Sequence, residues 1–316
     1  MMTLVLRWFD CNYRRVIYVL VVLCVLVPAF LTVRLRIKPA GATQGLYDAV
    51  EGIPAARRAA IAKLEAELTQ STNNHDKLTA HLQRLRMHTN GVLLISLDFD
   101  PSSAPELTPQ AEIILRHAFM RGIPVVAVVV STPVGAQLAQ SIVDRAARET
   151  QGRYNIKLAG RDYVYLGYRP GYFNLILQMG EDISRAYATD YAGTPLHDLP
   201  MMQGIKNLND IDLVAVVTGF VGVPETWIQV VKTKYNRPLG MGMTAVSVAD
   251  YTPYLHSKQL VGLLPGMRGA AEYEMALDAP GAGTRGMLAQ LASHVLIIVL
   301  IALGNALFFV QRRNRS

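Results

Sequence analysis

Between residues 91 and 278, short apolar runs alternate with longer amphipathic stretches. The apolar runs predict strands at residues 92–98, 124–131, 163–168, 213–219, 239–247 and 259–265. The other stretches predict helices near residues 107–121, 134–150, 171–187, 222–235, 248–256 and 267–278. Several runs are apolar throughout, which is typical of parallel strands covered on both faces. Repeated strand–helix units of this length predict an α/β domain with a doubly wound, parallel (Rossmann-like) sheet of about six strands.

Residues 34–90 have helical periodicity and predict an N-terminal helical extension. The stretch QGLYDAVEGIP predicts a short helix that ends at Gly52 and Pro54. Helix-forming residues continue to position 88 but are interrupted by STNN at 71–74, which favours two antiparallel helices over one long helix. The leucines form a narrow stripe on these helices. That stripe fits a coiled-coil seam with a partner or a second copy, and it equally fits a helix pair lying on the domain.

Two long apolar runs flank these segments, at residues 16–33 and 287–310. Neither contains Asp, Glu, Lys or Arg, and each could cross a hydrocarbon core of about 30 Å as a helix. The first run is longer than the apolar region of a cleaved signal peptide, which favours a retained membrane anchor. Residues 279–286 predict a flexible linker into the second span.

The net charge of +7 is concentrated beside the two apolar runs. Residues 1–38 contribute +5 and residues 311–316 contribute +3, so subtracting both from +7 leaves −1 for the residues between. This distribution predicts a membrane partner and no nucleic-acid partner. The three arginines after the second run predict that the tail at 311–316 is cytoplasmic. Two spans then place the basic N-terminus at 1–15 in the cytoplasm as well, and the α/β domain outside it.

The residues that follow the predicted strands are the candidate ligand contacts, because doubly wound sheets bind ligands beyond the carboxyl ends of their strands. These candidates are Asp98, Asp100, Ser131, Thr132, Thr218, Gly219 and Arg268. Arg268 lies in the loop PGMRGAAE, where backbone amides and the guanidinium could hold a phosphate or carboxylate. A tight strand-to-helix turn is the structural alternative for this loop.

The stretch LLISLDFDPSS at 93–103 resembles the first motif of haloacid dehalogenase-type phosphatases, in which an apolar strand ends in Asp-x-Asp. The stretch RGIPVVAVVVST at 121–132 is similar to the second motif of that family. The resemblance implies Asp98 as nucleophile, Asp100 as general acid and base, and Mg²⁺ bound at this pair. It covers only these two stretches. The further acidic pair of the family has no counterpart, because Asp210 and Asp212 precede a strand instead of following one.

A structural role for Asp98 and Asp100 is the alternative to chemistry. An Asp can end a strand and start a turn, and Asp-Pro is a frequent turn initiator. Ser102 or Ser103 would then cap the next helix, with Pro109 in its first turn.

Other chemically active residues are few. Cys11 and Cys24 both belong to the N-terminal membrane segment, so the rest of the chain has no thiol ligand. The histidines lack the spacing of a metal pair on a helix. We expect His117 on the surface of its helix. His197 has the best prospect of a role, because it lies in the long aperiodic stretch 189–212.

Gly304 and Asn305 lie within the second apolar run and predict helix–helix association in the membrane. Together, these patterns predict a membrane-anchored, non-catalytic domain that acts as a scaffold or as a partner- or ligand-binding component of a membrane assembly. Its partner would be a second copy of the chain or another membrane protein, and no cofactor is expected. The alternatives are a Mg²⁺-dependent, phosphatase-like hydrolase and an extracytoplasmic sensor of small solutes.

Overall fold

A computed structural model describes residues 15–24, 26–27, 38–70, 75–150 and 157–313. The helices are α1 (Arg15–Cys24), α2 (Gly41–Gln70), α3 (His75–Met87), α4 (Ala104–Met120), α5 (Val134–Thr150), α6 (Tyr172–Glu181), α7 (Ile183–Ala186), α8 (Val223–Trp227), α9 (Val248–His256), α10 (Gly266–Ala276) and α11 (Ala282–Arg313). The strands are β1 (Leu93–Asp98), β2 (Val125–Val129), β3 (Tyr163–Tyr168), β4 (Leu213–Thr218), β5 (Leu239–Met243) and β6 (Gly262–Pro265). A π-helix, Ile228–Lys234, continues α8.

The six strands form one parallel sheet in the order β3-β2-β1-β4-β5-β6. This arrangement confirms the predicted α/β, Rossmann-like architecture. The strand order reverses between β1 and β4, which pair in register from Leu93 opposite Leu213 to Asp98 opposite Thr218. The carboxyl ends of β1 and β4 therefore flank the switch point at which such sheets bind ligands.

Helices cover both faces of the sheet. One face packs against α2, α4, α5 and α10, and the other packs against α6 to α9 and the connection that precedes β4. Successive strand residues alternate between the two cores: Leu93 and Ile95 belong to the first, and Leu94 belongs to the second. Because both faces are buried, the strands are mostly apolar instead of alternating with polar residues.

Helix α2 runs without interruption from Gly41 to Gln70, so the predicted short helix ending at Gly52 and Pro54 is wrong. Proline removes one backbone hydrogen bond from a helix interior. Burial of Leu46, Val50 and Ile53 against the sheet offsets that loss, because the three residues share one helix face.

Beyond Pro54, α2 packs against α3, and we call this pair the hairpin arm (residues 58–70 and 75–87). The predicted helix pair corresponds to the second half of α2 and to α3, and residues 71–74 between them lie outside the described residues. Leu82 and Leu85 are buried, and Arg86 forms a 2.6 Å ion pair with Glu65 across the arm. Part of the leucine stripe is thus buried.

Buried charges attach α2 to the amino edge of the sheet. Arg57 is only 1% exposed, and its Nε donates to Asp212 Oδ2 at 3.0 Å. Its Nη2 donates to the carbonyl oxygen of Asp210 at 2.6 Å. Asp212 also accepts from the amide of Val92, directly before β1. The acidic pair at 210 and 212 therefore connects α2, β1 and β4 instead of completing a catalytic site.

The expectation of a surface position for His117 is wrong, because its side chain is fully buried between α2, α4 and α10. Its Nδ1 lies 2.8 Å from the hydroxyl of Tyr273, and its Nε2 lies 2.8 Å from Glu51. The ring stacks on Tyr47 at 4.8 Å. Burial lowers the pKa of His117, although the Glu51 carboxylate opposes that shift.

Two buried glutamates on α10 hold the segments that lead to the two apolar runs. Glu272 accepts from the amide of Ala40 at 3.0 Å and from the hydroxyl of Thr43 at 2.8 Å. Glu274 accepts from the amides of Gly281, Gly283 and Thr284, each at 2.8 Å. The Glu274 carboxylate lies at the first turn of α11, where it accepts from amides that have no partner within the helix and interacts favourably with the helix dipole.

The segment predicted as a flexible linker at 279–286 is therefore fixed in place. Helix α11 already begins at Ala282, and Gly283 packs directly against Ala270 and Ala271. Among the described residues, one helix segment, Ala282–Ala306, is long and apolar enough to cross a membrane. Within the first predicted span, at 16–33, α1 is a short apolar helix, and residues 25 and 28–33 lie outside the described residues.

Candidate functional site

Asp98 ends β1 and is fully buried. One carboxylate oxygen accepts from the amides of Val130 and Ser131, at 2.8 and 2.9 Å. The other oxygen accepts from the hydroxyl of Ser96. Burial raises the pKa of Asp98, and the hydrogen bonds from Ser96, Val130 and Ser131 oppose that shift. Asp98 thus joins the end of β1 to the end of β2, and both of its oxygens are occupied by protein donors.

Asp100 stabilises the turn that leads into α4. Its Oδ1 accepts from the hydroxyl of Ser102 at 2.6 Å and from the amides of Ser102 and Ser103 at 3.0 and 3.3 Å. The hydroxyl of Ser102 is the main cause of the lowered pKa of Asp100. The following helix begins at Ala104, so Pro105 lies in its first turn. Pro109, expected there, instead lies inside the helix.

The other predicted contacts lie at the same edge, but the structure does not bring all of them together. Gly219 donates its amide to the carbonyl of Asp98 at 3.1 Å, so the ends of β1 and β4 are joined. The hydroxyl of Thr218 accepts from the amide of Phe220 at 3.1 Å, within the turn after β4.

Two further predicted contacts also hold local structure. The hydroxyl of Thr132 accepts from the amide of Val134 at the start of α5. Arg268 follows β6, three strands away from β1, and donates to Glu272 at 2.7 Å. Ser131, Asp98 and Gly219 are thus neighbours, whereas Arg268 belongs to a separate part of the edge.

Replacing Asp98 with asparagine tests whether this carboxylate has a structural role. The amide oxygen can accept from Val130 and Ser131, and the amide NH₂ can donate to Ser96, so we expect an unchanged or increased free energy of unfolding at pH 7. Burial raises the pKa of Asp98 in the folded state above that in the unfolded state. The contribution of Asp98 to the free energy of unfolding is therefore fully present below the unfolded-state pKa and is lost as pH rises through the folded-state pKa. The advantage of the Asn variant should therefore grow with pH in urea titrations.

The matched variant, Asp98→Ala, leaves the amides of Val130 and Ser131 without their acceptor. We expect it to lower the free energy of unfolding by about 1–3 kcal/mol. Equal destabilisation by Asn and Ala would contradict the hydrogen-bonding role.

A cavity of about 470 Å³ opens beside this cluster, at the carboxyl ends of β2 and β3. It is lined by Pro133, Ala136, Leu166, Gly167, Tyr168, Arg169, Pro170, Thr189, Asp190 and Tyr191. Part of the aperiodic stretch forms one wall, because the amide of Tyr191 donates to the carbonyl of Tyr165 at 2.9 Å. Gly167 has φ +76°, and a Cβ there would lie 2.7 Å from the Tyr191 ring, so glycine permits this close contact.

The cavity carries opposite charges. The guanidinium of Arg169 is exposed and lies 5.4 Å from the centre of the Tyr187 ring. Asp190 is half-buried and accepts from the amide of Thr194 at 2.8 Å. A cation, a carboxylate and aromatic walls could bind a small polar or zwitterionic solute. Part of the lining comes from GYRPG at 167–171, at the end of β3, and no pattern in the sequence indicated that residues 189–191 fold back onto it.

The remaining predicted residues lie elsewhere. His197 is exposed, and its Nε2 lies 3.4 Å from Asp198. Gly304 and Asn305 are exposed in α11, and an added Cβ at Gly304 meets no atom within 4 Å. In the part of the chain that the structure describes, no group of three or more His, Cys, Asp or Glu side chains is placed to hold a metal ion.

Comparison of the chain with protein-family models, with curated proteins and with solved structures found no match.

Proposed function

We propose that this protein is a membrane-anchored, non-catalytic α/β domain that serves as a binding component of a membrane assembly. The observation that carries the proposal is the hydrogen bonding of the two carboxylates at the switch point. Asp98 is enclosed by Ser96, Val130 and Ser131, and Asp100 is engaged by Ser102 and Ser103. A nucleophile must instead present an oxygen to its substrate.

The attachment of the domain to its anchors supports the same proposal. Glu272 holds the chain just after the first apolar run, and Glu274 holds the start of α11. Both segments are thereby fixed to α10, so the domain would be held in one orientation to the bilayer. A fixed orientation suits a component that meets its partners at a membrane. The arginines at 312, 313 and 315 favour an extracytoplasmic domain with cytoplasmic termini.

The hairpin arm and Asn305 provide the surfaces for assembly. The arm begins next to Arg57, at the amino edge of the sheet, and is charged and exposed along most of its described length. Asn305 and Gly304 lie in the apolar part of α11, where a polar side chain is stabilised by a neighbouring helix. We therefore infer a homo-oligomer or a complex with another membrane protein.

A sensor of small solutes is the second candidate, and the cavity between the ends of β2 and β3 favours it. Arg169 and Asp190 would bind the charged groups of a polar solute, and Tyr168 and Tyr191 would contact its apolar part. This function predicts a ligand-dependent rise in melting temperature that Arg169→Ala removes.

The size of the intact protein in lipid nanodiscs tests the proposal. We expect a particle larger than one copy, shifted towards smaller species by Asn305→Leu, as measured by mass photometry. A strictly monomeric particle with no co-purifying membrane protein would refute assembly. In the same preparation, Mg²⁺-dependent hydrolysis of a phosphomonoester that is lost in Asp98→Asn would establish the hydrolase alternative instead.

A further inference from the structure

Helix α11 leaves the domain at the carboxyl edge of the sheet. Its first turns run antiparallel to α10, because Gly283 packs against Ala270 and Ala271 whereas Gly286 packs against Met267. Met267 is the second residue of α10, directly after β6, and so lies at the carboxyl edge. Everything beyond Gly286 in α11 therefore extends past this edge and away from the hairpin arm.

The distance from this edge to the apolar part of α11 is short. A membrane span of about 20 residues that ends at Val310 begins near Leu291, about 8 Å past Gly286 at 1.5 Å per residue. The headgroup layer on each side of a bilayer is itself roughly 5–8 Å thick. The carboxyl edge of the sheet would therefore lie at the level of the lipid headgroups.

Exposed apolar side chains are concentrated at the same edge. Outside α1, residues 26–27 and α11, the described residues include eight exposed large apolar side chains, and six of them lie at or near the carboxyl ends of the strands. These six form what we call the apolar rim: Val134, Tyr172, Phe173, Tyr191, Val221 and Val246. Val221 and Val246 are 84% and 86% exposed. Such exposure is costly in water but favourable in a membrane interface, which also accommodates tyrosine and phenylalanine.

The charges at this edge are compatible with lipid headgroups. The loops STPV at 131–134 and GFVG at 219–222 contain no charged residue. Arg169 and Arg268 are exposed there and could contact lipid phosphates. The acidic residues there include Asp250, which is exposed, Asp190, which is half-buried beside Arg169, and Asp100, which is partly exposed but bound to its own turn.

We propose that the carboxyl edge of the sheet rests on the bilayer, with the apolar rim inserted among the lipid headgroups. This inference depends on the proposed anchoring of the chain by α11. The surface that covers the apolar rim is then a lipid bilayer. The cavity next to Arg169 would lie at the membrane–water boundary. The hairpin arm, at the opposite edge, would then point away from the membrane.

Site-specific fluorescence in liposomes tests the placement. Cys11 and Cys24 are replaced by serine, and single cysteines introduced by Val221→Cys, Val246→Cys or Met87→Cys carry an environment-sensitive dye. Met87 is a matched control, because it is 57% exposed but ends α3 at the amino edge. We expect blue-shifted emission and quenching by headgroup-proximal spin-labelled lipid at positions 221 and 246, and neither effect at 87.

A fourth label, from Val299→Cys in α11, separates this inference from the anchoring itself. Deep quenching at 299 without quenching at 221 and 246 would refute the bilayer contact while preserving the anchor. No quenching at 299 would refute the anchor and the inference together. A blue shift at 221 that persists in detergent and rises with protein concentration would assign the rim to a second copy, and this also overturns the proposal.

Discussion

Replacing Arg57 with alanine should lower the free energy of unfolding by about 3–5 kcal/mol. The guanidinium is 1% exposed and donates to the Asp212 carboxylate and to the carbonyl of Asp210. Its removal leaves a nearly buried carboxylate, 10% exposed, without its ion-pair partner. Truncating one partner of a buried pair is costly because the other charge stays desolvated. The loss should be visible in urea unfolding followed by the fluorescence of Trp227, which is fully buried.

Arg58→Ala is the matched control for this measurement. Arg58 is the next residue on the same helix but is exposed, so its removal should change the free energy of unfolding by no more than about 0.5 kcal/mol. A loss below about 1 kcal/mol for Arg57→Ala would show that the amino-edge network contributes little to stability.

Two glycines of α2 should respond in opposite directions to the same substitution. At Gly45, an added Cβ would lie 2.3 Å from the carbonyl oxygen of Val261, so helix and sheet would have to separate. At Gly52, an added Cβ meets nothing within 4 Å. We expect Gly45→Ala to cost about 1–3 kcal/mol of stability. Gly52→Ala should add about 0.5–1 kcal/mol, because alanine is the better helix former.

Thermal and urea unfolding of both variants check this pair. Helix propensity is the same at the two positions, so the difference between the variants isolates the contact between α2 and β6. If both substitutions stabilised the protein, α2 would not lie against the start of β6 as described.

The six strands and their parallel packing follow from local patterns, since apolar runs and their spacing reflect burial on both faces, whereas the order of the strands in the sheet was not predicted. The continuity of α2 through Pro54 could not be predicted in this way. It depends on Leu46, Val50 and Ile53 meeting a sheet whose strands come much later in the chain. The burial of His117 was missed for a similar reason. Helix α4 is covered by several elements, so its polar residues do not mark an exposed face.

The sequence predicted where the candidate site lies but not what each of its residues does. The carboxyl-edge rule gave seven candidate ligand contacts: Asp98, Asp100, Ser131, Thr132, Thr218, Gly219 and Arg268. The structure shows contacts of Asp98 with Ser131 and Gly219, whereas Arg268 lies apart, after β6. Only the hydrogen bonds show that Asp98 is enclosed. The cavity could not be predicted, because one of its walls depends on the contact between Tyr191 and Tyr165, and no pattern in a single sequence indicates that contact.

The contact between Thr43 and Glu272 has a consequence for the order of events during biosynthesis. These residues are 229 positions apart, so α2 finds its partner only after β6 and α10 have been made. The last strand and α10 leave the ribosome just before α11. The domain would therefore complete its core only as α11 emerges, and until then the apolar face of α2 would need a chaperone or another surface to cover it.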